Sequence, residues 1–570
     1  YTDEDILADS EISGGKIQIR DEAFDLLILP PLTHIKYRTF KKLIEFVDAG
    51  GRLIASTLVP FAFISGEGHD VQELESFFGV NPRAVADHFI NKSDLALVSS
   101  ESRGKGNIHV LQGPGLSKSR NRDLLDQVIL SCIIPDVTID NENVFYLHRI
   151  KDGYDIYFFV NLLQEAQGEV EITFERVGRP ELWNANTGEI EPIHVYKLKE
   201  GRLSVTLDFP QTESRIVIIR DEAIGDHISA STLQIENQSD KSISGYLKSP
   251  SDPVAVEFET AGQKHQVTAT LKKPLPSIGL GKKYRVITES DNVLCISKWK
   301  MKIAEASDKP EQIVGNDFDD TNWLGVTLGA WEMQLPIERD QATYPVDLWY
   351  RTSFEVEYLP KELHLLVDGF SGRSHKLFIN GKEVCDPGTR SKLDAEIKTI
   401  AVSDFVRIGR NQVAIQLEAN RRTDGILDLL KITGDFSLRE TAEQQIIVAP
   451  RRELVIGDWT KQGYPNYSGT ISYETEVDIP AAYTEGKLFL HVECGEDVLA
   501  VRLNDNAEIA VPWHPYKLDI SGLVIAGNNK IVLKVTNTII NILEAVPKKS
   551  GLFEEPVIEH AHRYTLTLEV

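Results

Sequence analysis

Two short stretches of the sequence concentrate aromatic side chains among glycines and prolines. Trp459, Tyr464 and Tyr467 lie in one stretch, and Trp513 and Tyr516 lie in the other. Aromatic rings stack on the apolar faces of sugars, and a few polar groups then fix the sugar hydroxyls. The pattern therefore suggests an aromatic face on loops at the mouth of a β-domain. Packing into the core of that domain is the alternative, and it is the commoner role of such rings.

Polar residues that could contact the same class of ligand lie on predicted loops close to glycines. These weaker candidates are Asp368, Arg373, Asn420, Arg421 and Asp424. Loops held on a rigid scaffold often carry binding residues. Solvation of an ordinary polar surface is the alternative and the more frequent case.

Other catalytic and metal-binding patterns are weak in this sequence. It contains no glycine-rich phosphate loop, no GxSxG elbow and no HExxH motif. His560 and His562 could share one face of a strand, but we expect structural roles for them and for His514. Hydrolysis of a glycosidic bond needs two carboxylates that flank it, and no such pair stands out among the 86 Asp and Glu residues. We therefore predict no catalytic residue here.

Charge and cysteine content exclude several classes of partner and site. The net charge of −25 disfavours nucleic acids and anionic membranes, because both need a basic protein surface. No apolar run approaches the ~20 residues of a membrane span. Cys132, Cys295, Cys385 and Cys494 are far apart in the sequence, which excludes a CxxC metal or redox site. We expect buried free thiols, with two distant disulfides as the alternative.

The length of 570 residues predicts several domains, because a single hydrophobic core does not grow that large. The chain starts at Tyr1, and its methionines are Met301 and Met333. Residues 1–20 contain no remnant of a signal peptide. Either a leader has been removed or the chain is the C-terminal part of a longer polypeptide, and we expect the second.

Residues 1–140 alternate between strand and helix patterns. FDLLILPP, RLIAST and NIHVLQ are short apolar runs, typical of buried parallel strands. Between the first two runs, apolar residues recur at helical spacing and are followed by Gly50 and Gly51. The rhythm of strand, helix and strand predicts a small doubly wound α/β domain.

The remainder of the chain is patterned for β-structure. VFYLHRI and YDIYFFVNLL, separated by KDG, predict a hairpin within a β-sandwich over residues 141–221. Residues 222–300 form a less clearly patterned β-rich segment. The fold class is thus multidomain and mainly β.

An internal repeat follows, and it predicts two antiparallel jelly-roll sandwiches over 301–440 and 441–570. YPVDLWYRTSFEVEYLP in the first copy matches YPNYSGTISYETEVDIP in the second. Both copies place a glycine two residues before an asparagine, ahead of a long strand. Both close with a glycine followed by an apolar residue.

Several stretches resemble parts of a known family, glycoside hydrolase family 106, the α-L-rhamnosidases. Asp25 to Ala55 resembles the α/β domain that follows the catalytic barrel in this family and looks flavodoxin-like or amidotransferase-like. RPELWNANTGEIEPI is similar to a strand pair of the next sandwich, and NDFDDTNW is similar to the start of a galactose-binding-like jelly roll of family 2 glycosidases. The terminal jelly roll of the rhamnosidase family resembles GDWTKQGYPNYSGTISY, VPWHPYKLDIS and SGLFEEPV.

The resemblance implies that this chain is the accessory C-terminal region of a glycoside hydrolase, most similar to an α-L-rhamnosidase. The two catalytic carboxylates would lie on a barrel upstream in the same polypeptide, with a carbohydrate as substrate. A stand-alone carbohydrate-binding or adhesive protein is the alternative. A hydrolase that uses the α/β domain itself is a third possibility. We expect no cofactor except calcium, which jelly rolls often bind through carboxylates and carbonyls.

Overall fold

The computed structural model describes residues 4–64, 70–90, 96–113, 119–239, 241–250, 252–260, 263–336 and 343–568. Strands account for 49% of the structure and helices for 12%, which confirms the expected mainly β, multidomain fold. The chain divides into two compact units, Tyr1–Thr138 with Ile172–Arg176 and Ile139–Glu171 with Val177–Val570. In the described part, no helix combines the length and apolarity that a membrane span requires.

The first unit is built on a four-stranded sheet. Leu26–Leu29, Arg52–Thr57 and Gly106–Gln112 are parallel neighbours in it, and Ala96–Arg103 pairs antiparallel with the last of them. The central strand is buried almost throughout, which explains its continuous apolar run. The flavodoxin-like or amidotransferase-like character of this unit stays a prediction.

Helices and short strands complete the first unit. The helices are Glu4–Asp9, Tyr37–Asp48, Gln72–Phe78, Pro82–Ile90 and Ser119–Cys132. The short strands are Glu11–Ser13, Lys16–Ile19, Glu22–Phe24, His34–Lys36, Ala62–Ile64 and Val137–Ile139. Helix Tyr37–Asp48 buries Phe40, Leu43 and Val47, the residues whose spacing indicated it in the sequence.

The second unit begins with a five-stranded antiparallel sheet. Its strands, in spatial order, are Val144–Lys151, Tyr154–Asn161, Ser214–Arg220, Arg179–Trp183 and Ile190–Pro192. The first two form the expected hairpin, in which Lys151 pairs with Tyr154. Tyr196–Lys199 and Arg202–Phe209 are further strands of this unit, and strand Gly168–Phe174 has its last three residues in the first unit.

Residues 222–300 form one sheet of their own and contribute strands to several other sheets. His227–Ser231, Val254–Thr260 and Gln263–Ala269 form one sheet, whereas Leu233–Gln238 and Ser242–Leu247 pair with the C-terminal strand Arg563–Thr567. Lys283–Thr288 and Asn292–Ile296 each join a different one of the two sandwiches that follow. The expected boundary at residue 300 therefore cuts across sheets, because antiparallel pairing joins segments that are distant in the sequence.

The first sandwich packs two large sheets around one apolar core. One sheet contains Leu324–Val326, Trp299–Ile303, Val346–Val356, Gly409–Ala419, Ser374–Ile379 and Lys382–Glu383, with Ser437–Glu440 and Gln445–Val448 at its side. The other contains Asn292–Ile296, Leu430–Gly434, Leu363–Val367, Lys398–Ala401 and Thr389–Arg390. A small third sheet joins Gly329–Ala330, Gly425–Ile426 and Phe370–Ser371, and short helices span Pro310–Ile313 and Glu332–Gln334.

The second sandwich repeats this arrangement around its own core. One sheet contains Glu453–Val455, Lys283–Thr288, Thr470–Ile479, Gly527–Thr536, Val498–Leu503 and Ile509–Val511. The other contains Ile278–Gly279, Val557–Ala561, Lys487–His491 and Lys517–Asp519. A strand pair joins Gly457–Asp458 to Gly551–Leu552, and short helices span Trp459–Gln462, Ala481–Tyr483 and Ile540–Glu544.

The repeated asparagines seen in the sequence organise the same turn in both sandwiches. The side-chain amide of Asn411 donates to the carbonyls of Arg407 and Gly409, and its oxygen accepts from the Arg407 amide. Asn529 makes the equivalent three bonds to Ile525 and Gly527 at 2.8–2.9 Å. Both asparagines are 0% exposed. Each side chain thus satisfies backbone groups that would otherwise be buried without partners.

The NDFDDTNW stretch supplies the half-buried carboxylate that pairs with a buried arginine in the first sandwich. The Arg351 side chain is 0% exposed, and its Nε donates to the Asp320 carboxylate over 2.8 Å. The same guanidinium lies over the Phe318 ring and donates to the carbonyls of Ile313 and Gly315. The motif is therefore explained by the need to neutralise a buried arginine.

All four cysteines are free thiols. Cys132 and Cys494 are buried, as expected, and Cys295 is half-buried. Cys385 is exposed, contrary to the expectation of burial, because it lies in the loop that follows the short edge strand Lys382–Glu383.

Candidate functional site

Each sandwich ends in a cluster of loops, and an equivalent short strand pair lies beside the loops in both sandwiches. Gly329 pairs with Ile426 in the first sandwich, and Gly457 pairs with Leu552 in the second. A Cβ atom at Gly425 would lie 2.6 Å from the Gly329 carbonyl oxygen. A Cβ atom at Gly551 would lie 2.4 Å from the Gly457 oxygen, so only glycine fits at both positions. The glycine that closes each repeat in the sequence is thus explained by backbone contact.

The first loop end, consisting of Ser371, Asn420, Arg421 and Asp424, is organised by one buried carboxylate. Asp424 accepts from the backbone amides of Asn420 and Arg421 over 2.7 and 2.9 Å. Its other oxygen accepts from the Ser371 hydroxyl over 2.9 Å. The structure therefore brings three of the five predicted polar candidates together, but Asp424 is only 5% exposed and acts on the protein backbone.

The other two polar candidates lie outside this hydrogen-bond cluster. Arg373 is exposed just before strand Ser374–Ile379, and its guanidinium pairs over 3.2 Å with Glu418 of the neighbouring strand Gly409–Ala419. Asp368 is half-buried in the loop that follows strand Leu363–Val367. The side chains of Asn420 and Arg421 are exposed beside Asp424, so these two remain the candidates best placed to contact a ligand there.

The second loop end, consisting of Asp497, Ser550, Gly551 and Tyr516, also contains a buried carboxylate. Asp497 is 3% exposed and accepts from the Ser550 hydroxyl and the Gly551 amide, both over 3.3 Å. Burial raises the pKa of Asp497 to about 7, against the opposing effect of these two hydrogen bonds. The Tyr516 hydroxyl donates to the backbone carbonyls of Asp497 and Gly495.

Most of the predicted aromatic candidates lie inside the second sandwich. Trp459, Tyr464 and Tyr467 are at most 1% exposed, and Tyr516 is 4% exposed. The Trp459 and Tyr467 rings meet edge to face with centroids 5.9 Å apart, and burial raises the pKa of Tyr467 to about 12. These rings serve as core residues, the alternative given above, because their faces are covered by neighbouring side chains.

Trp513 is the predicted aromatic candidate whose ring remains accessible, at 51% exposure. It precedes His514, whose Nε2 lies 2.6 Å from the Gly495 carbonyl oxygen and so anchors this loop to the second loop end. An exposed indole on an anchored loop is the arrangement that stacking on a sugar requires.

Sequence reasoning missed Asp497, Ser550 and Ser371. Asp497 lies in a polar connection, CGED, with no pattern of its own. Ser550 carried a signal that alignment of the repeats would have shown, because it precedes Gly551 as Asp424 precedes Gly425.

In the described ranges, no group of three or more His, Cys, Asp or Glu side chains is placed so that it could hold a metal ion. The His560 and His562 rings do lie together, with centroids 4.6 Å apart. His562 is held by the Lys273 carbonyl over 2.8 Å. Calcium binding therefore stays a prediction without named ligands.

Comparisons with known proteins add information about the family. Residues 1–198 match the family model described as alpha-L-rhamnosidase, glycoside hydrolase family 106. A protein of Formosa agariphila named "Putative beta-glucuronidase" is 20% identical over 93% of this chain. This chain is related to the glycoside hydrolases. Its N-terminal third is similar to family 106. The chain spans about half, 46%, of the length of the Formosa relative.

The chain, which is related to the glycoside hydrolases, also resembles solved structures of glycosidases. A rhamnosidase from Novosphingobium sp. PP1Y is 14% identical with a TM-score of 0.43, covering 97% of this chain and 35% of its own. A beta-glucuronidase from Ruminococcus gnavus is 14% identical with a TM-score of 0.22, covering 45% of this chain and 40% of its own. TM-scores below 0.5 do not establish a shared fold.

Proposed function

We propose that this chain is the accessory, non-catalytic region of a glycoside hydrolase that acts on O-glycosidic bonds of the α-L-rhamnoside type. The catalytic barrel and its two carboxylates would lie upstream in the same polypeptide. The observation that carries the proposal is the family 106 match over residues 1–198, together with a relative of which this chain spans 46%.

The environment of Asp497 supports an accessory role. A glycosidase acid needs a raised pKa and an open position beside the scissile bond. Asp497 has the raised pKa but is 3% exposed, and its two oxygens accept from Ser550 and Gly551. A carboxyl in this position stabilises the fold and has no room for a sugar ring.

A carbohydrate-binding role without catalysis is the second candidate function. The exposed ring of Trp513, on the loop that His514 anchors to Gly495, favours it. Exposed Asn420 and Arg421 at the first loop end would supply hydrogen bonds to hydroxyls. This role is compatible with the accessory assignment, since accessory sandwiches can hold a substrate near a catalytic domain.

The test compares this chain with the product of the complete gene on an aryl α-L-rhamnoside. We expect activity in the complete product and none in this chain. Activity in this chain alone would refute the accessory assignment. Inactivity of both on a panel of aryl glycosides would refute the hydrolase assignment and leave the binding role.

A further inference from the structure

One face of the five-stranded sheet in the second unit is apolar and open to solvent. We define this open sheet face by six residues: Phe145, Leu147, Tyr154, Phe158, Trp183 and Ile190. Phe145, Leu147 and Ile190 are 52–53% exposed, and Tyr154 and Phe158 are each 38% exposed. Contiguous exposed apolar surface is characteristic of an interaction site.

The strand register places these six side chains on the same side of the sheet. Leu147 pairs with Phe158, Phe158 pairs with Ile216, and Ile216 pairs with Trp183, which pairs with Ile190. Residues directly opposite each other in antiparallel strands project to the same face. The alternate residues Tyr157 and Phe159 project to the other face and are at most 1% exposed. One side of the sheet thus builds the core and the other carries a second apolar layer.

Charged groups fix the aromatic rings at one end of the open sheet face. The Arg220 guanidinium lies 4.6 Å from the Tyr154 ring centroid and 5.8 Å from that of Trp183. Glu181 accepts from Arg220 Nε over 3.0 Å and from Trp183 Nε1 over 3.1 Å. The rings are therefore held in place before any partner arrives, which lowers the entropy cost of binding.

We propose that the open sheet face binds the catalytic domain of the same polypeptide, through a protein surface that is apolar at its centre and acidic at its rim. This inference rests on the proposed function, since it names the surface by which the accessory region holds the catalytic domain. A protein partner is favoured over a sugar because Phe145, Leu147, Phe158 and Ile190 offer no side-chain hydrogen bonds to hydroxyls.

Charge and chain length support the choice of this partner. Arg149 and Lys151 are exposed on the same side of the sheet, where they pair with Ile156 and Tyr154. This basic rim, in a chain of net charge −25, complements an acidic partner. A second copy of the chain, docked by the same face in a two-fold dimer, would bring its own Arg149 and Lys151 against this basic rim, which like-charge repulsion disfavours. The Formosa relative has more than half of its length outside the match, which is ample for a further domain.

Hydroxyl-radical labelling with mass spectrometry tests the proposal on this chain and on the complete gene product. We expect oxidation of Phe145, Leu147 and Phe158 to be about fivefold slower in the complete product, as for the dry centre of an interface. Ile150, which is 73% exposed on the other side of the same strand, is the internal control and should be labelled equally in both.

The Phe158→Glu variant of the complete product should restore fast labelling of Phe145, whereas Ile150→Glu should match the wild type. Equal labelling of the open sheet face in both proteins overturns the proposal. Protection that appears in this chain alone, either with rising protein concentration or with added oligosaccharide, also overturns it in favour of self-association or a sugar.

The rhamnoside assay on the same preparations separates the two claims. An active complete product with an unprotected face refutes the docking surface and leaves the proposed function standing. An inactive product with a protected face refutes the hydrolase assignment, while the domain contact stands.

Discussion

The hydroxyl of Ser550 donates to the buried carboxylate of Asp497 over 3.3 Å, beside the glycine that closes the second repeat. Ser371 and Asp424 make the corresponding contact over 2.9 Å beside the glycine that closes the first. The carboxylate and the hydroxyl are exchanged between the two sandwiches. The residue before the glycine is the acid in the first sandwich and the hydroxyl in the second.

The Asp497 carboxyl should make stability depend on pH. Its pKa is raised from 3.8 to about 7 by burial, so between these values the folded chain holds a proton that the unfolded chain has lost. The free energy of unfolding should therefore fall as pH rises through this window, by at most about 4 kcal/mol. Asp497→Asn should remove this fall, as measured by urea denaturation from pH 4.5 to 8. The exposed control Asp505→Asn should follow the wild type, and parallel curves for all three proteins would contradict the assignment.

The buried asparagine of each sandwich should be essential for stability. Asn529→Ala removes the acceptor for the Ile525 amide and the donor to the Ile525 and Gly527 carbonyls, so we expect a loss of about 2–4 kcal/mol. Asn411→Ala should behave in the same way. Denaturant unfolding measures the loss. The adjacent exposed Asn528→Ala, which loses one hydrogen bond to Glu476, serves as the control and should stay within about 0.5 kcal/mol of the wild type.

The Asp320–Arg351 ion pair should show strong coupling. Asp320→Ala leaves the buried Arg351 charge without its carboxylate, which should cost about 3–5 kcal/mol in the free energy of unfolding. The double variant Asp320→Ala with Arg351→Met should lose less than Asp320→Ala alone, because the uncompensated charge is gone. Thermal and urea unfolding measure both, with exposed Asp317→Ala as the control. A double variant less stable than either single variant would argue against the charge as the cause.

Trp513 should account for any affinity of the second loop end for sugars. Its exposed indole can stack on a sugar, so Trp513→Ala should weaken binding about tenfold. Titration calorimetry with rhamnose-containing oligosaccharides measures the change. Trp459→Phe alters a buried ring and should bind as the wild type does. Unchanged affinity in Trp513→Ala would move the binding site elsewhere.

Local patterns in the sequence were sufficient for several elements. The apolar spacing around Phe40 and Leu43 indicated helix Tyr37–Asp48, and the spacing of Gly409 and Asn411 indicated a repeated turn. Whether Trp459 is buried or open was not predictable, because its neighbours in the core come from strands far along the chain. Asp497 shows the same limit, since Ser550 and Gly551 contact it from more than fifty residues away.

The pairing of Arg563–Thr567 with Ser242–Leu247 has a consequence for synthesis of the chain. The ribosome synthesises strand Ser242–Leu247 more than three hundred residues before strand Arg563–Thr567. Ser242–Leu247 therefore emerges with one edge unpaired. Glu236 on the neighbouring strand pairs in the folded chain with Lys487 and Arg563, which are synthesised long after it, Arg563 being 327 residues further along. Removing the last eight residues should therefore expose this edge and make newly made protein prone to aggregation.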